Sequence, residues 1–281
     1  MYDYREYKPS KKLSRIIDCL WVMKKQNNMM VHEDIIIPNA CAEIVITSGD
    51  GYKRIDPILG EIKHAKGIYI LGQRNKFFLL KELQDGTIDI GVRFKPFSLI
   101  EIGIDVKKMS NQIVKFSELF SLDDSFLKQL SQEGKDPLQK LSLIEQLITK
   151  HIVVSNSDDY LIKKAIRIIH QAKGVIKVKE LQEELFISKS VLYRIFIRFT
   201  GFSPKEFIDV WRFNYIVSEQ INKNSNNLLS IALDFGFFDQ AHFIKYFKKY
   251  TGVTPKYYFT SESYLSKIMT VEIDARNSYN Q

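Results

Sequence analysis

Apolar positions along the chain change period near its middle. At 34–47, DIIIPNACAEIVIT, two β-branched runs divided by Pro38–Asn39 predict two strands with a turn between them. Ser48–Gly49–Asp50–Gly51 predicts a second turn, and 68–71, 77–80 and 87–94 supply further short apolar segments punctuated by Gly60, Gly67, Gly72 and Gly86. Closely spaced short strands of this kind predict a small antiparallel barrel or sandwich. Upstream, Ile16, Ile17, Leu20 and Trp21 share one candidate buried face. After Pro96 the period becomes helical: 97–104 predicts a short helix, followed by 116–132 and 137–151. In the last of these Leu138, Leu141, Ile144, Leu147 and Ile148 fall on one face, which could pack on the barrel or serve as a dimer contact. Polar residues at 156–159 mark a boundary. The expected division is a regulatory domain at 1–156, a helical domain at 157–260 and a tail at 261–281.

The helical half is written twice. LYRIFIRFTGFSPKEF at 192–207 returns 51 positions later as FIKYFKKYTGVTPKYY at 243–258, with Phe196/Phe247, Thr200/Thr251, Gly201/Gly252 and Pro204/Pro255 in register. Such a repeat means two copies of one supersecondary unit. Each copy is preceded by a shorter apolar segment: Leu181, Leu185 and Ile187 in the first, Ile231, Ala232 and Phe235 in the second. There the offset is 50, so the second turn carries one extra residue. Ser188 and Asp239 stand where helix N-caps belong, and Gly236 suits a left-handed turn. Helix, tight turn, helix is the motif that places its second helix in the DNA major groove. Between the copies Pro204 starts a helix, and Phe207, Val210, Trp211, Tyr215 and Ile216 give it an apolar stripe with no internal breaker. Such a connecting rod is long enough to help two reading helices reach successive grooves.

Charge agrees with position. The net charge is +8, and residues 158–260 hold 16 Lys+Arg against 10 Asp+Glu, so the basic excess sits with the repeat. Cys19 and Cys41 form neither a disulfide framework nor a metal cluster and read as buried free thiols. Without an apolar run of membrane-spanning length or a signal core, a soluble cytoplasmic protein is expected.

Helical geometry sorts the two candidate recognition helices. In the first, Leu192, Ile195, Phe196 and Phe199 face the core, leaving Ser190, Tyr193 and Arg194 as candidates for base edges. Arg194 is the strongest, since a guanidinium can pair bidentately with guanine. In the second, Phe243, Tyr246 and Phe247 face inward and Gln240, Ala241, Ile244 and Lys245 outward. Gln240 suits adenine, and Ala241 or Ile244 a thymine methyl. Lys189, Arg198, Lys205, Arg212, Lys248, Lys249 and Lys256 are candidates for phosphates, which fix register without reading sequence. His242 could pack or touch DNA.

IALDFGFFDQAHFIKYFKKYTGVTPKYY closely resembles the C-terminal signature of the AraC/XylS family of bacterial transcription regulators, and the first copy resembles its weaker partner. More loosely, IPNACAEIVI, ILGQ and GVRFKPFSL are similar to the barrel-like companion domain of one branch. The resemblance implies an α+β chain: a barrel with helices, then an all-α DNA-binding domain of seven helices with two helix-turn-helix motifs. It also implies promoter DNA and RNA polymerase as partners, activation of transcription, and an N-terminal domain that senses a small molecule or forms a homodimer. The family's base-contacting positions fall on Ser190, Tyr193 and Arg194. Phe186 and Gln182 depart from the family's glycine and alanine, and Phe238 replaces a polar residue, which predicts a more buried second turn.

Enzyme chemistry finds no support in the sequence. His32, His64, Glu43 and Glu61 are too dispersed for a metal site, and no phosphate loop or nucleophile elbow occurs, so no cofactor is expected. Phe77, Phe78, Leu79, Val92 and Phe94 could line an apolar effector cavity or fill a core. An architectural DNA binder with a protein-interaction module is the alternative reading.

Overall fold

The computed structural model describes residues 2–25, 33–81, 86–120, 124–132, 134–152, 159–223 and 228–261. The polar boundary at 156–157, His32 and the tail from 262 lie outside them.

The N-terminal half is an antiparallel sheet. Its strands are β1 (Tyr2–Tyr7), β2 (Ile17–Lys25), β3 (Glu33–Ile36), β4 (Glu43–Ile55), β5 (Ile62–Leu71), β6 (Phe78–Lys81), β7 (Ile88–Phe94) and β8 (Ile113–Lys115). They are ordered β1-β2-β7-β4-β5-β8, while β6 pairs with both β3 and the far end of β4. Ser48–Gly51, expected as a turn, is instead carried within β4, where the register with β5 shifts between Thr47 and Tyr52. A bulge at that point bends one long strand, so that it can serve both ends of the curved sheet.

Alternation along β7 divides the sheet into two faces. Ile90, Val92 and Phe94 join Leu20, Ile44, Ile46 and Ile70 in a core beneath the helices that follow. Those are a 3-10 turn at Leu99–Ile102, then α1 (Val106–Met109), α2 (Phe116–Leu119), α3 (Asp124–Ser131) and α4 (Pro137–His151). Leu141, Ile144, Leu147 and Ile148 of α4 are buried in this core, so four of the five residues considered for a dimer contact are covered within the chain, while Leu138, in the first turn, is exposed. The expected single helix at 116–132 is two, α2 and α3.

The opposite face is also buried, and it sets charged residues among an apolar cluster of Cys19, Trp21, Val45, Tyr69 and Leu71. Asp89, Gly91 and Arg93 share it with Glu43 and Thr47 of β4, because Glu43 lies opposite Arg93 and Thr47 opposite Asp89. The Trp21 indole lies against Gly91, where an added Cβ would be 2.3 Å from the ring.

The C-terminal half is α5 (Asp159–Gln171), α6 (Val178–Leu185), α7 (Lys189–Thr200), α8 (Pro204–Lys223), α9 (Leu228–Asp234), α10 (Gln240–Thr251) and α11 (Pro255–Thr260). One aromatic-rich core unites them, built from residues such as Phe196, Phe207, Trp211, Phe213, Phe243, Phe247 and Tyr258. Ile37, Ala40 and Phe97 enter the same core from the sheet side. Among the described residues no helix is long and apolar enough to cross a membrane.

Candidate nucleic-acid interface

The two repeats close with the same hydrogen bonds. Ser188 Oγ accepts from Val191 N at 3.3 Å to cap α7, and Asp239 Oδ1 accepts from His242 N at 2.7 Å to cap α10. At the far ends Thr200 Oγ1 donates to Phe196 O at 2.7 Å and accepts from Phe202 N at 3.2 Å. Thr251 repeats this with Phe247 O at 3.0 Å and Val253 N at 3.2 Å. The Thr-Gly step therefore stops each recognition helix, and Pro204 and Pro255 start the next one.

The turns differ by the one residue that the offset predicts. Phe186 and Gly236 both adopt left-handed backbone, with φ of 54° and 72°. In the first turn a single residue, Ile187, then precedes the cap. In the second, Phe237 fills the buried position and the extra residue, Phe238, is 90% exposed. That corrects the expectation of a more buried second turn: the insertion is accommodated by pushing its side chain into solvent.

Both outward faces are as the periodicity predicts. Leu192, Ile195, Phe196 and Phe199 are buried, while Ser190, Tyr193 and Arg194 are exposed on the N-terminal half of α7. In α10, Phe243 and Phe247 are buried, Gln240, Ala241 and Lys245 are exposed, and Ile244 is half-buried. Tyr246 is held inward by its hydroxyl, which donates to Asp209 O at 2.6 Å. Exposed His242 lies edge-on to Phe237, with ring centroids 5.1 Å apart.

The cations expected at phosphates divide into two sets. Lys189, Arg198, Lys248, Lys249 and Lys256 are exposed, as is Lys205, whose Nζ pairs with Asp209 at 2.7 Å. Arg212 is different: half-buried, it stacks on the Phe237 ring at 4.1 Å and donates to Phe235 O. It braces the second turn from α8, a role that sequence spacing does not distinguish from an exposed arginine.

The N-terminal half meets this interface from behind. Asn214 Nδ2 of α8 donates to Pro38 O at 2.8 Å, and Asn75 Nδ2 donates to Glu206 Oε1 at 3.1 Å. A Cβ on Gly201 would lie 2.2 Å from Ser110 Oγ, and one on Gly252 would lie 2.7 Å from the Phe77 ring. The same repeat position is thus gripped in both copies. Phe77 is used here, Phe78 lies under the Arg54 guanidinium at 4.0 Å, and Val92 and Phe94 sit in the helix-side core, so these residues do not line one apolar cavity.

Sequence reasoning missed the charges on the sheet's other buried face. Arg93 Nε donates to Glu43 Oε1 at 2.9 Å, Asn39 Nδ2 to the same oxygen at 3.2 Å, and Arg74 Nη2 stands 3.9 Å away. Burial opposes ionisation of Glu43, but the Arg93 and Arg74 guanidinium groups outweigh it and hold the carboxyl below its usual range. Burial pushes Asp89 up to about 7. The D-G-R alternation in β7 opposite Glu43 was the available signal. Glu43 is therefore engaged by arginines, His64 and Glu61 are exposed, and Cys19 and Cys41 are buried and not joined in a disulfide.

Comparison with known proteins agrees with the geometry. A helix-turn-helix domain model matches residues 181–261, and a domain of unknown function (DUF6597) matches residues 5–115. The Msm operon regulatory protein of Streptococcus mutans is 29% identical over 187 residues, 57% of this chain and 66% of that protein. Histidine kinase P4 of Formosa agariphila is 29% identical over 121 residues, 42% of this chain but 9% of the kinase. The chain thus spans less than two thirds of either relative. The structure of ToxT from Vibrio cholerae aligns with a TM-score of 0.47 at 15% identity, covering 92% of this chain and 97% of that one. Residues 181–261 thus carry a helix-turn-helix domain, on an α+β chain.

Proposed function

We propose that the chain reads a split DNA site with α7 and α10 in successive major grooves, under control of its N-terminal domain. The observation that carries this reading is the pair of equivalently capped helices with uncovered N-terminal faces, joined by α8. At 20 residues α8 is about 30 Å long, comparable with one helical turn of DNA. Ser190, Tyr193 and Arg194 on α7, and Gln240, Ala241, Ile244 and Lys245 on α10, take the base edges. Lys189, Arg198, Lys205, Lys248, Lys249 and Lys256 take phosphates. Residues 157–260 form the DNA-binding domain and 1–156 the regulatory one, acting through a small molecule or through self-association, with RNA polymerase as the further partner. The contacts at Gly201, Gly252, Glu206 and Asn214 support control from that side.

Selection of bound sequences from a random DNA pool tests the reading. Two conserved elements about 10–10.5 bp apart are expected. A pool that emerges without sequence preference would instead indicate an architectural DNA binder.

A further inference from the structure

The buried face of the sheet that carries Arg93 holds more hydrogen-bond donors than it can use. Arg54, Arg74 and Arg93 all reach it, and all three are at most 4% exposed. Arg93 is satisfied in part, by Glu43 and by Glu6 at 3.4 Å, and Arg54 in part, by Asn111 O at 2.8 Å. Arg74 is not: Nε, Nη1 and Nη2 are buried and none makes a hydrogen bond, its nearest anion being Glu43 at 3.9 Å. Arg54 Nη1, Arg93 Nη2 and Trp21 Nε1 are buried without partners as well. Against these six donors stand, among the described residues, two unpartnered acceptors, Gln73 Oε1 and Asp89 Oδ1.

The carboxylates of this face are committed elsewhere: Glu43 and Glu6 pair with Arg93, Asp89 lies opposite Thr47, and Asp56 is paired with Lys76, which leaves Arg74 only the shared Glu43 at 3.9 Å. A buried guanidinium that makes no hydrogen bond, and whose counter-ion stands 3.9 Å away and is shared with Arg93, is costly to keep in a fold. Its planar fork of N–H donors matches an oxyanion. Arg54 also borders a cavity of about 70 Å³, whose lining carries Lys63 and Lys76 together with the carboxylates Asp56 and Glu61.

We propose that the interior of the N-terminal barrel is a receptor for a small oxyanion, a carboxylate or phosphate group, with Arg74 as its principal ligand and Arg54 beside it. The chemical class follows from the unmatched donors. The regulatory consequence follows from where Arg74 lies, and for that consequence the proposal rests on the function proposed above. Gln73 O accepts from Asn111 N at 2.8 Å and Arg74 O accepts from Ala40 N at 3.2 Å, which pins the segment to its surroundings. Asn75 reaches Glu206 at the start of α8, and Phe77 lies against Gly252 at the end of α10. An anion drawn to Arg74 therefore acts one to three residues from the contacts that hold the DNA-reading half.

The test uses the full chain and two probes, acetate and inorganic phosphate, each compared with chloride at matched ionic strength. Wild-type protein is expected to melt several degrees higher in at least one probe than in chloride, because a ligand bound to the folded state alone raises its melting temperature. Arg74→Met is expected to lose that shift and to melt in chloride at or above wild type, since an unmatched buried charge has been removed. A shift that persists in Arg74→Met, or its absence from wild type in both probes, overturns the site. So does an Arg74→Met protein that melts well below wild type in chloride, which would make Arg74 a structural partner of Glu43. Should Arg74→Met fail to fold, Arg74→Lys decides: it keeps the charge without the fork, so the shift should fall at least twofold, and an undiminished shift overturns the proposal. On selected DNA, the active probe should change wild-type affinity several-fold and leave Arg74→Met unchanged; constant wild-type affinity overturns the regulatory consequence. The melts contain no DNA, so their outcome is independent of whether the DNA-reading assignment stands.

Discussion

Asn214, halfway along α8, donates its side-chain amide to Pro38 O at 2.8 Å across 176 residues of sequence. The same amide nitrogen also donates to Val210 O at 2.8 Å, one turn earlier in its own helix. A buried amide thereby ties the rod between the two reading units to the turn that joins β3 and β4.

Replacing Asn214 by Leu should strand the Pro38 carbonyl without a partner. A loss of about 1–3 kcal/mol in unfolding free energy is expected, the usual cost of a buried unsatisfied polar group. Denaturant unfolding followed by tryptophan fluorescence measures it, and an unchanged midpoint would show that the bond contributes nothing.

Base reading and phosphate binding should separate on two side chains. Arg194→Ala is expected to lose about 1–3 kcal/mol on the selected site, relax one base position and leave random DNA nearly unaffected. Lys249→Ala should weaken both DNAs alike and reduce the slope of log affinity against log salt by about 1. Anisotropy titrations at several salt concentrations compare them; equal losses for Arg194→Ala on both DNAs would move that residue to the phosphate group.

Asp89 makes stability depend on pH in a stated direction. Its carboxyl is raised from 3.8 to about 7 by burial, so between those values the folded chain holds a proton that the unfolded chain has released. Stability is therefore full below the lower value, falls as pH rises through the window and is level above about 7. Asp89→Asn should flatten this decline and exceed wild type above the window by up to about 4 kcal/mol. Parallel pH series for the two proteins would refute the assignment.

Phe186 holds a left-handed backbone with φ of 54° while its ring is 90% exposed. Glycine occupies the equivalent place in the second copy at no such cost. Phe186→Gly is expected to raise stability by about 1 kcal/mol, the strain relieved less the added freedom of the unfolded chain. Thermal melting measures it, and a lower melting temperature would mean that the ring makes a stabilising contact.

How much of this was legible depended on whether a feature was local. The helix at 137–151 shows in sequence with both ends, because Pro137 opens it and Leu141, Ile144, Leu147 and Ile148 recur at its period. The recognition helices were legible for the same reason, with the added check of a second copy. Ser48–Gly51 misled because turn residues also suit a bulge, and only pairing with β5 tells the two apart. Glu43 and Arg93 were opaque because polar residues at alternate strand positions ordinarily mark a wet face. Their meeting depends on a register between strands 50 residues apart. Phe238 was misjudged because the inserted residue of a turn packs by geometry before hydrophobicity.

The contacts at Gly201 and Gly252 set the N-terminal half against the C-terminal ends of α7 and α10, far from the ends proposed to read bases. Each helix has 12 residues, a lever arm of about 18 Å from a pivot at the glycine to the far end. A tilt of about 5° at the glycine would displace the tip by about 1.5 Å, more than a base-edge hydrogen bond tolerates. The backbone around the pivot, and any phosphate held there, would scarcely move. Steering by such levers alters aim without masking the reading surface, so discrimination between cognate and random DNA should fade before total affinity does.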